Sequence, residues 1–260
     1  MPFTASHVAA VLPFARTPLI PSALVVGSLV PDLPVLFQLP FYANTHSVWG
    51  VFVTNAAVGF GLLVVWYLLL AEPLYAMSPS ILRQRLPVPD PGSVLRATDW
   101  PRRLLLTYAS LVIGAATHVT WDAFTHPYRW GSQHIDWLAT AHGPMLGTSW
   151  AQYGSTVLGA FVIAVWLILW WRRTEPRDAA AADSPVAALA LGRAASWAIW
   201  LLPLMAGASA AAFVARIVLA GGAGPLETAF WIGSYGASTS LTVVVALALG
   251  WQLRRVLRTD

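Results

Sequence analysis

Three ionisable residues stand four positions apart in the segment THVTWDAFTH, which covers residues 117–126. If the apolar stretch before them is helical, His118 and Asp122 lie on one face with their Cβ atoms about 6 Å apart. His126 continues this stripe at roughly 80° around the helix from His118. An imidazole and a carboxylate at this spacing can share a metal ion. The alternative for any single histidine near a helix end is a hydrogen-bonded interfacial residue.

A carboxylate at the edge of an apolar span needs a partner, because an unpaired charge in lipid is costly. Asp122 meets this description, and so does Asp32 in the second apolar stretch GSLVPDLP, unless Asp32 caps a helix there. Neither they nor His46 have an Arg or Lys nearby in sequence. A divalent cation is therefore the economical counter-charge. Since the chain has no Cys, oxygen and imidazole ligands remain, which favour zinc, with manganese or iron as alternatives.

The composition indicates an integral membrane protein. Hydrophobic residues make up 57% of the 260 positions and charged residues only 10%, far below the share in soluble domains. All fifteen basic residues are Arg, and they lie mainly in the loops between apolar segments. No basic patch with interleaved aromatic residues is present, so nothing indicates a nucleic-acid partner.

Five apolar segments reach the length of roughly 20 residues that is needed to cross about 30 Å of hydrocarbon. They cover residues 46–71, 104–125, 153–171, 196–220 and 229–251. The loop at 72–103, the stretch after 171 and the C-terminal tail are rich in Arg, so the positive-inside rule predicts a cytoplasmic C-terminus. The segment at 126–152 then faces outward, which places the polar groups near the outer leaflet.

The N-terminal region, residues 3–38, is apolar but broken by five prolines. If residues 19–38 cross the membrane once, His7 is left on the opposite side from the other polar groups. If the chain instead reverses at TPLIP, two half-helices of matching length bring His7 and Asp32 to one level, which is the arrangement we expect. The sequence thus predicts an all-α polytopic membrane helical bundle with five transmembrane helices plus an N-terminal re-entrant helical hairpin, or six spans.

Three regions are expected along the chain. Residues 1–171 form a membrane domain that carries the metal site, residues 172–195 a cytoplasmic linker, and residues 196–260 a transmembrane helix pair with a basic tail. The last region contains no His, which is typical of a scaffold.

Two further residues are candidates for substrate binding. Gln152 opens the third span on the side of the site, and Arg129 is the one cation near it. Arg129 could hold a phosphate oxygen, or it could anchor to a lipid headgroup. The Trp residues around the outer loop indicate an interfacial belt or, alternatively, a loop lying over the site. His134 and His142 are expected at the solvated surface.

Four motifs, PFTASH, GSLVPDLP, THS and HVTWDAFTH, occur in this order within residues 2–126. They resemble those of an uncharacterised bacterial family of polytopic proteins related to the membrane-bound metal-dependent hydrolases. Those proteins are similar in ligand order to the zinc-dependent phospholipases C. The resemblance implies metal ligation by His7, Asp32, His46, His118 and Asp122.

Two departures from the phospholipase pattern lower the expected metal count. The chain begins with Met rather than Trp, and Leu146 stands four residues after His142 where the phospholipases have Glu. We therefore expect one or two zinc ions rather than three.

The expected function is a metal-dependent hydrolase in the bacterial cytoplasmic membrane, with an outward-facing site. The resemblance alone implies a phospholipid or other phosphoester as substrate, so membrane lipid is the expected partner. Bound metal would lower the pKa of water and polarise the bond under attack. Asp32 or Asp122 would bridge two ions or orient the nucleophile, and His126 would donate a proton to the leaving group.

Two other functions use the same residues. A protein that only binds or transports a divalent cation is the main alternative, although Thr54 and Asn55 are isolated polar residues and offer little of a route through the bundle. Ligation of haem by two histidines is the other, and Asp32 and Asp122 argue against it because carboxylates would serve no ligation role there.

Overall fold

The structure is a computed structural model that describes residues 4–90, 99–177 and 191–259. The α-helices are α1 (Pro21–Leu29), α2 (Leu33–Leu36), α3 (Tyr42–Thr45), α4 (Val48–Phe52), α5 (Thr54–Val65), α6 (Ala71–Met77), α7 (Ser80–Arg83), α8 (Trp100–Thr125), α9 (Trp130–His134), α10 (Asp136–Ala139), α11 (Gly147–Arg173), α12 (Arg193–Ala220) and α13 (Pro225–Thr259). A 3-10 helix, called here the N-terminal helix, covers Thr4–Arg16, and further non-α helices cover Val30–Asp32 (3-10) and Trp66–Leu70 (π). Strands β1 (Ala141–His142) and β2 (Met145–Leu146) form one antiparallel pair.

The chain is an all-α polytopic bundle, as the sequence predicts. Five helical segments are long and apolar enough to cross a membrane: Val48–Met77, Trp100–Thr125, Gly147–Arg173, Ala194–Ala220 and Glu227–Leu257. Most extend beyond the apolar segments read from the sequence, because polar residues continue the helices at their ends. The first begins later than predicted, since the Ser47 hydroxyl caps it by accepting the Gly50 N–H at 2.9 Å. His46 therefore lies in the turn before this helix.

The N-terminal region forms the expected hairpin. The N-terminal helix is about 26 Å long at 3-10 rise, and the 16 residues of Pro21–Leu36 cover about 24 Å at α-helical rise. The chain reverses between them, and the backbone N–H of Ile20 donates to the Ser110 hydroxyl of α8 at 2.9 Å. Pro21–Leu36 is shorter than the five spans, so the alternative of six spans finds no support in the described residues.

Close backbone contact holds α1 against α8. A Cβ added to Gly27 would overlap the carbonyl oxygen of Leu111, and one added to Gly114 would overlap that of Leu24. The two helices can approach this closely only because both positions lack a side chain. The N-terminal helix meets α11 in a similar way, since a Cβ on Gly159 would lie 2.8 Å from the Ser6 carbonyl oxygen.

The chain divides into two compact units, and the division differs from the one expected from sequence. The first unit contains Met1–Leu63 and Asp99–Leu169, and the second contains Val64–Thr98 and Trp170–Asp260. The sequence assigns residues 64–98 to the site-bearing part or its loops. In the structure α13 packs on the π-helix and α6. Most of the expected linker, residues 178–190, lies outside the described residues.

Contacts within the second unit explain this division. Arg255 of α13 pairs with Glu72 of α6, and the Gln252 side chain donates to the Leu68 carbonyl at 3.5 Å. The helices α12 and α13 also pack closely, with the Ser240 hydroxyl donating to the Pro203 carbonyl at 2.9 Å. The candidate site residues all lie in the first unit, so the second unit contributes none of them.

Gly114→Ala should destabilise the protein by about 1–3 kcal/mol, because the new methyl group must push α1 away from α8. Thermal unfolding in detergent measures the effect. The matched control is Gly154→Ala, at a position of α11 where an added Cβ meets nothing within 4 Å. The control should be neutral or stabilising by up to about 1 kcal/mol, since alanine favours a helix. Equal effects of both substitutions would contradict the role given to Gly114.

Candidate metal centre

Five buried side chains converge where the hairpin meets α8. Each is at most 5% exposed. They are His7 of the N-terminal helix, Asp32 at the end of the 3-10 turn after α1, His46 in the turn after α3, and His118 and Asp122 of α8. The structure thus brings together all five residues that the sequence predicts as metal ligands.

Four of these residues form a compact set of ligand atoms, all within 4.8 Å of one another. His46 Nε2 lies 3.7 Å from Asp32 Oδ1 and 3.3 Å from Asp122 Oδ2. His118 Nε2 lies 3.5 Å from each of the same two oxygens. Ligands at about 2.0–2.1 Å from a tetrahedral zinc ion are separated by roughly 3.4 Å. The spacing of these atoms therefore fits one ion at their centre.

Backbone carbonyls fix the tautomers of both histidines. His118 Nδ1 lies 2.7 Å from the Ser28 carbonyl oxygen, and His46 Nδ1 lies 3.1 Å from the Tyr42 carbonyl oxygen. A carbonyl only accepts, so each Nδ1 carries the proton and donates it. In the neutral rings Nε2 then carries a lone pair, which points toward the carboxylates. Backbone carbonyls that accept from Nδ1 in this way give metal-binding histidines the same orientation.

The atoms that face the centre lack hydrogen-bond partners among the described residues. They are Asp32 Oδ1, both Asp122 oxygens, and Nε2 of His7, His46 and His118. Buried polar atoms are nearly always paired. Protonation of the rings is a poor substitute, because a charge-assisted N–H···O bond is about 2.7–2.9 Å long and these separations are 3.3–3.7 Å. One cation could satisfy four of them at once, namely Asp32 Oδ1, Asp122 Oδ2 and the Nε2 atoms of His46 and His118.

The second oxygen of Asp122 faces a different pair of histidines. Oδ1 lies 3.6 Å from His7 Nε2 and 3.5 Å from His126 Nδ1. Burial, followed by the neighbouring His118, lowers the pKa of His7 to about 4, and burial also lowers the pKa of His126. Neutral imidazoles at both positions can bind a metal or exchange a proton. His126 has a side chain that is 16% exposed, so it lies at the rim of the centre.

Hydroxyl and amide groups support the ligands from behind. The Thr4 hydroxyl donates to Asp32 Oδ2 at 2.7 Å, and the Thr45 hydroxyl donates to the Pro31 carbonyl at 2.8 Å. Asn55 donates to the Thr45 carbonyl at 2.8 Å and fixes the turn that carries His46. The sequence analysis missed these supporting roles. Of these supporting residues, only Asn55 gave a signal in the sequence, because it is a polar amide within an apolar span. In the structure it is fully buried.

Tyr42 and Arg129 extend the centre toward the loop. The Tyr42 ring lies against the His46 ring at a centroid distance of 4.0 Å, and the Arg129 guanidinium lies 5.8 Å from the Tyr42 ring centroid. Burial, with the nearby Asp122 and Asp32 carboxylates, raises the pKa of Tyr42 to about 12. Arg129 is thus placed at the end of the bundle where the sequence predicts it, while Tyr42 was not anticipated.

Gln152 is buried on α11, two helical turns before Gly159. It therefore shares the helix face that meets the N-terminal helix at Ser6. It lies outside the group of side chains around Asp122, and a role in substrate binding stays a prediction.

The loop between α8 and α11 keeps its two other histidines, His134 and His142, apart from the centre. The His134 ring stacks on Trp130 at 4.6 Å, and the His142 ring stacks on Trp137 at 4.7 Å. His134 is exposed, as expected, and His142 is partly buried. Trp130, Trp137 and Trp150 are all about half exposed, which suits an interfacial aromatic belt.

A family model described as a domain of unknown function, DUF4184, matches residues 1–252. The protein belongs to the DUF4184 family. No curated protein and no solved structure matches the chain. The matched residues include the whole candidate metal centre, so this DUF4184 domain carries the centre within its first half.

The donor set of this DUF4184 domain suits a divalent cation. Two carboxylates offset the charge of such an ion, and neutral imidazoles complete its coordination. The absence of thiolate ligands follows from a sequence without Cys. The chemistry available at such a centre is polarisation of an oxygen-containing bond or simple metal storage.

Zinc should raise the melting temperature of the protein after treatment with chelator and dialysis. At a free concentration 100-fold above Kd, binding contributes about 2.7 kcal/mol, or roughly 5–10 °C. Thermal unfolding of Asp122→Ala should show no shift, because Asp122 faces every histidine of the centre. His134→Ala, outside the centre, is the matched control and should respond like the wild type. A shift that persists in Asp122→Ala would remove Asp122 from the ligand set.

Proposed function

We propose that the protein is a membrane-embedded metal-dependent hydrolase that acts on a phospholipid or another phosphoester. The observation that supports it is the convergence of buried, unpaired ligand atoms from three segments of the chain on one point. Hard oxygen and imidazole donors favour zinc, with manganese or iron as alternatives. The phosphoester substrate rests on the resemblance in motif order, since no residue at the centre names a substrate by itself.

One ion would be held by Asp32, His46, His118 and Asp122. A second ion would have to share Asp122 through Oδ1, together with His7. When bound, such an ion would polarise a phosphoryl oxygen and lower the pKa of a water nucleophile. Four protein ligands fill a tetrahedral zinc site, but zinc also accepts a fifth ligand during reaction.

The remaining roles fall to residues of the chain at the rim. His126 is the most exposed group facing Asp122, and its neutral ring would take up a proton from the attacking water and give it to the leaving group. Asp122 Oδ1 faces His126 Nδ1 and would orient the His126 ring. Asp32 would position the nucleophile. Arg129 can approach a phosphate oxygen from the direction of Tyr42.

The location of the centre supports a substrate from the membrane surface. Asp122 and His126 lie at the end of α8 opposite Arg102 and Arg103. From the positive-inside rule we infer that the arginine end faces the cytoplasm, and we propose a cytoplasmic C-terminus and a centre near the outer leaflet of the bacterial cytoplasmic membrane. A phospholipid headgroup lies at this depth.

Metal transport by the same residues is less well supported. Below the centre, the buried positions of α8 are Ser110, Leu111, Gly114 and Ala115, which provide no carboxylate for a cation leaving the site. Haem ligation is also disfavoured, because His46 and His118 face the same two carboxylates rather than opposite sides of an open slot.

Metal analysis by mass spectrometry, combined with a phosphodiesterase screen, tests the proposal. The detergent-purified wild type should contain near-stoichiometric metal and hydrolyse a phosphodiester. The double variant His118→Ala, Asp122→Ala should lose at least 90% of both, while His134→Ala should retain both. A second equivalent of metal that disappears in His7→Ala would establish the two-ion form.

The outcomes separate the candidate functions. Metal without hydrolysis of any phosphoester or carboxyl ester would leave a metal-binding protein. No metal in the wild type, after purification without chelators, would overturn the hydrolase.

His126→Ala should affect substrates according to their leaving group. A proton donor typically contributes about 10²–10⁴-fold when the leaving group is a poor one, such as an alkoxide. An alkyl phosphodiester should therefore lose at least 100-fold in kcat/KM, and a p-nitrophenyl ester less than tenfold, with metal content unchanged. Equal losses on both substrates, or loss of metal, would assign His126 to ligation instead.

A further inference from the structure

A groove with a volume of about 570 Å³ lies beside the metal centre. One wall is a face of α8 from Ile113 to Thr125. The other walls come from Ala10 of the N-terminal helix and from Ala151 and Ser155 of α11. All three elements belong to the first compact unit. Neither the metal ligands nor the proposed rim residues line it.

The groove matches one leaflet in depth. The thirteen residues of α-helix from Ile113 to Thr125 rise by about 18 Å from first to last, close to the ~15 Å that is half the hydrocarbon thickness of a bilayer. Thr125 is the last residue of α8, so the groove follows the half of this span that is nearer the centre. An acyl chain whose headgroup lies at the centre would extend through the same half.

The lining is effectively apolar despite its hydroxyl groups. Thr117 and Ser155 each donate to the carbonyl three residues earlier, at 2.7 and 3.1 Å, and Thr125 donates to the carbonyl four residues earlier at 3.3 Å. With these three hydroxyls turned to the backbone, the groove presents mostly methyl groups and the rings of Trp121 and Phe124, together with the side chain of Thr120. The hydroxyl protons of Thr117, Thr125 and Ser155 are thus used within the protein.

One end of the groove touches the metal centre. The Thr125 hydroxyl lies 3.2 Å from His126 Nδ1, and the Trp121 ring lies edge-on to the His7 ring at 6.1 Å. His7 and His126 are the two histidines that face Asp122 Oδ1. A chain in the groove therefore leads its polar end to the exposed side of the centre.

We propose that this groove binds one acyl chain of a membrane phospholipid and presents the adjoining phosphoester to the metal centre. The presentation of the phosphoester to the centre rests on the proposed function, and the inference names the substrate class of that function. The hollow depends on three alanines, Ala10, Ala116 and Ala151, because a larger side chain at any of them would occupy it. A long-chain lipid is then preferred over a water-soluble phosphodiester with the same leaving group.

Photo-crosslinking tests chain binding without any need for turnover. The full-length protein, in nanodiscs of phosphatidylcholine, receives a small fraction of phosphatidylglycerol with a diazirine in one acyl chain. Peptide mass spectrometry should find labelling enriched at least fivefold on residues 113–125 over the lipid-exposed residues 157–169. Ala116→Trp should abolish the enrichment, whereas Val157→Trp, on the exposed face of α11, should retain it.

Uniform labelling of all exposed helices, or enrichment that survives Ala116→Trp, would overturn the groove as a chain site. Crosslinks to a second copy of the chain at residues 113–125 would identify it as a self-association surface instead and would equally overturn the proposal.

A rate comparison then tests presentation to the centre. In Ala116→Trp the ratio of the hydrolysis rate on a long-chain phospholipid to that on a chainless phosphodiester should fall at least tenfold, with metal content retained. Val157→Trp should keep the wild-type ratio. A wild type that crosslinks as expected but hydrolyses neither substrate overturns the proposed function and leaves chain binding supported. An unchanged ratio in Ala116→Trp overturns the presentation step.

Discussion

Two carboxylates buried beside each other in a membrane bundle are the constraint on which the rest of the site depends. Asp32 and Asp122 approach the same imidazole nitrogens, and both are at most 2% exposed. Protons on Nε2 of His46 and His118 would neutralise these charges poorly, because the two nitrogens lie 3.3–3.7 Å from the carboxylate oxygens, beyond the length of about 2.7–2.9 Å of a charge-assisted hydrogen bond. Burial of unpaired charge is very costly. The local structure is therefore best understood as a cradle for a cation.

A second constraint concerns the hairpin, whose helical backbone is interrupted within an apolar region and therefore has N–H and carbonyl groups that need hydrogen-bond partners. Irregular backbone at membrane depth is tolerated only where protein buries it or where it lines a cavity. Here α8 supplies the missing partners: Ser110 accepts from the Ile20 N–H at the turn, and His118 donates to the Ser28 carbonyl near the other end of α1. The same contacts that satisfy the backbone also orient a ligand. Support of the fold and preparation of the centre are thus one set of interactions.

The five residues that converge at the centre can be selected from the sequence because their signals are local. The four-residue spacing of His118 and Asp122, and carboxylates in apolar stretches, can be read without any tertiary contact. The hairpin follows from proline positions and arm lengths. The supporting contacts do not follow, since the carbonyl groups of Ser28 and Tyr42 look like any others until the chain is folded.

The division into units could not be predicted for a similar reason. Segment 64–98 joins the C-terminal helices through contacts such as Arg255 with Glu72, which lie 183 residues apart in sequence. Hydropathy describes each helix separately and carries no information about which helices become neighbours. The groove beside the centre is also invisible in the sequence, because it arises where three separate helices fail to fill the space between them.

The contacts that join the hairpin to α8 also determine the order of assembly during synthesis. Both hydrogen bonds from the hairpin to α8 connect residues 90 positions apart. The N-terminal hairpin therefore leaves the ribosome long before its partner exists, and it is too short to hold a place across the bilayer alone. His7 and Asp32 therefore cannot meet His118 and Asp122 until α8 has been made. A newly made chain thus completes its candidate centre only after residue 122, and only when the hairpin has docked on α8.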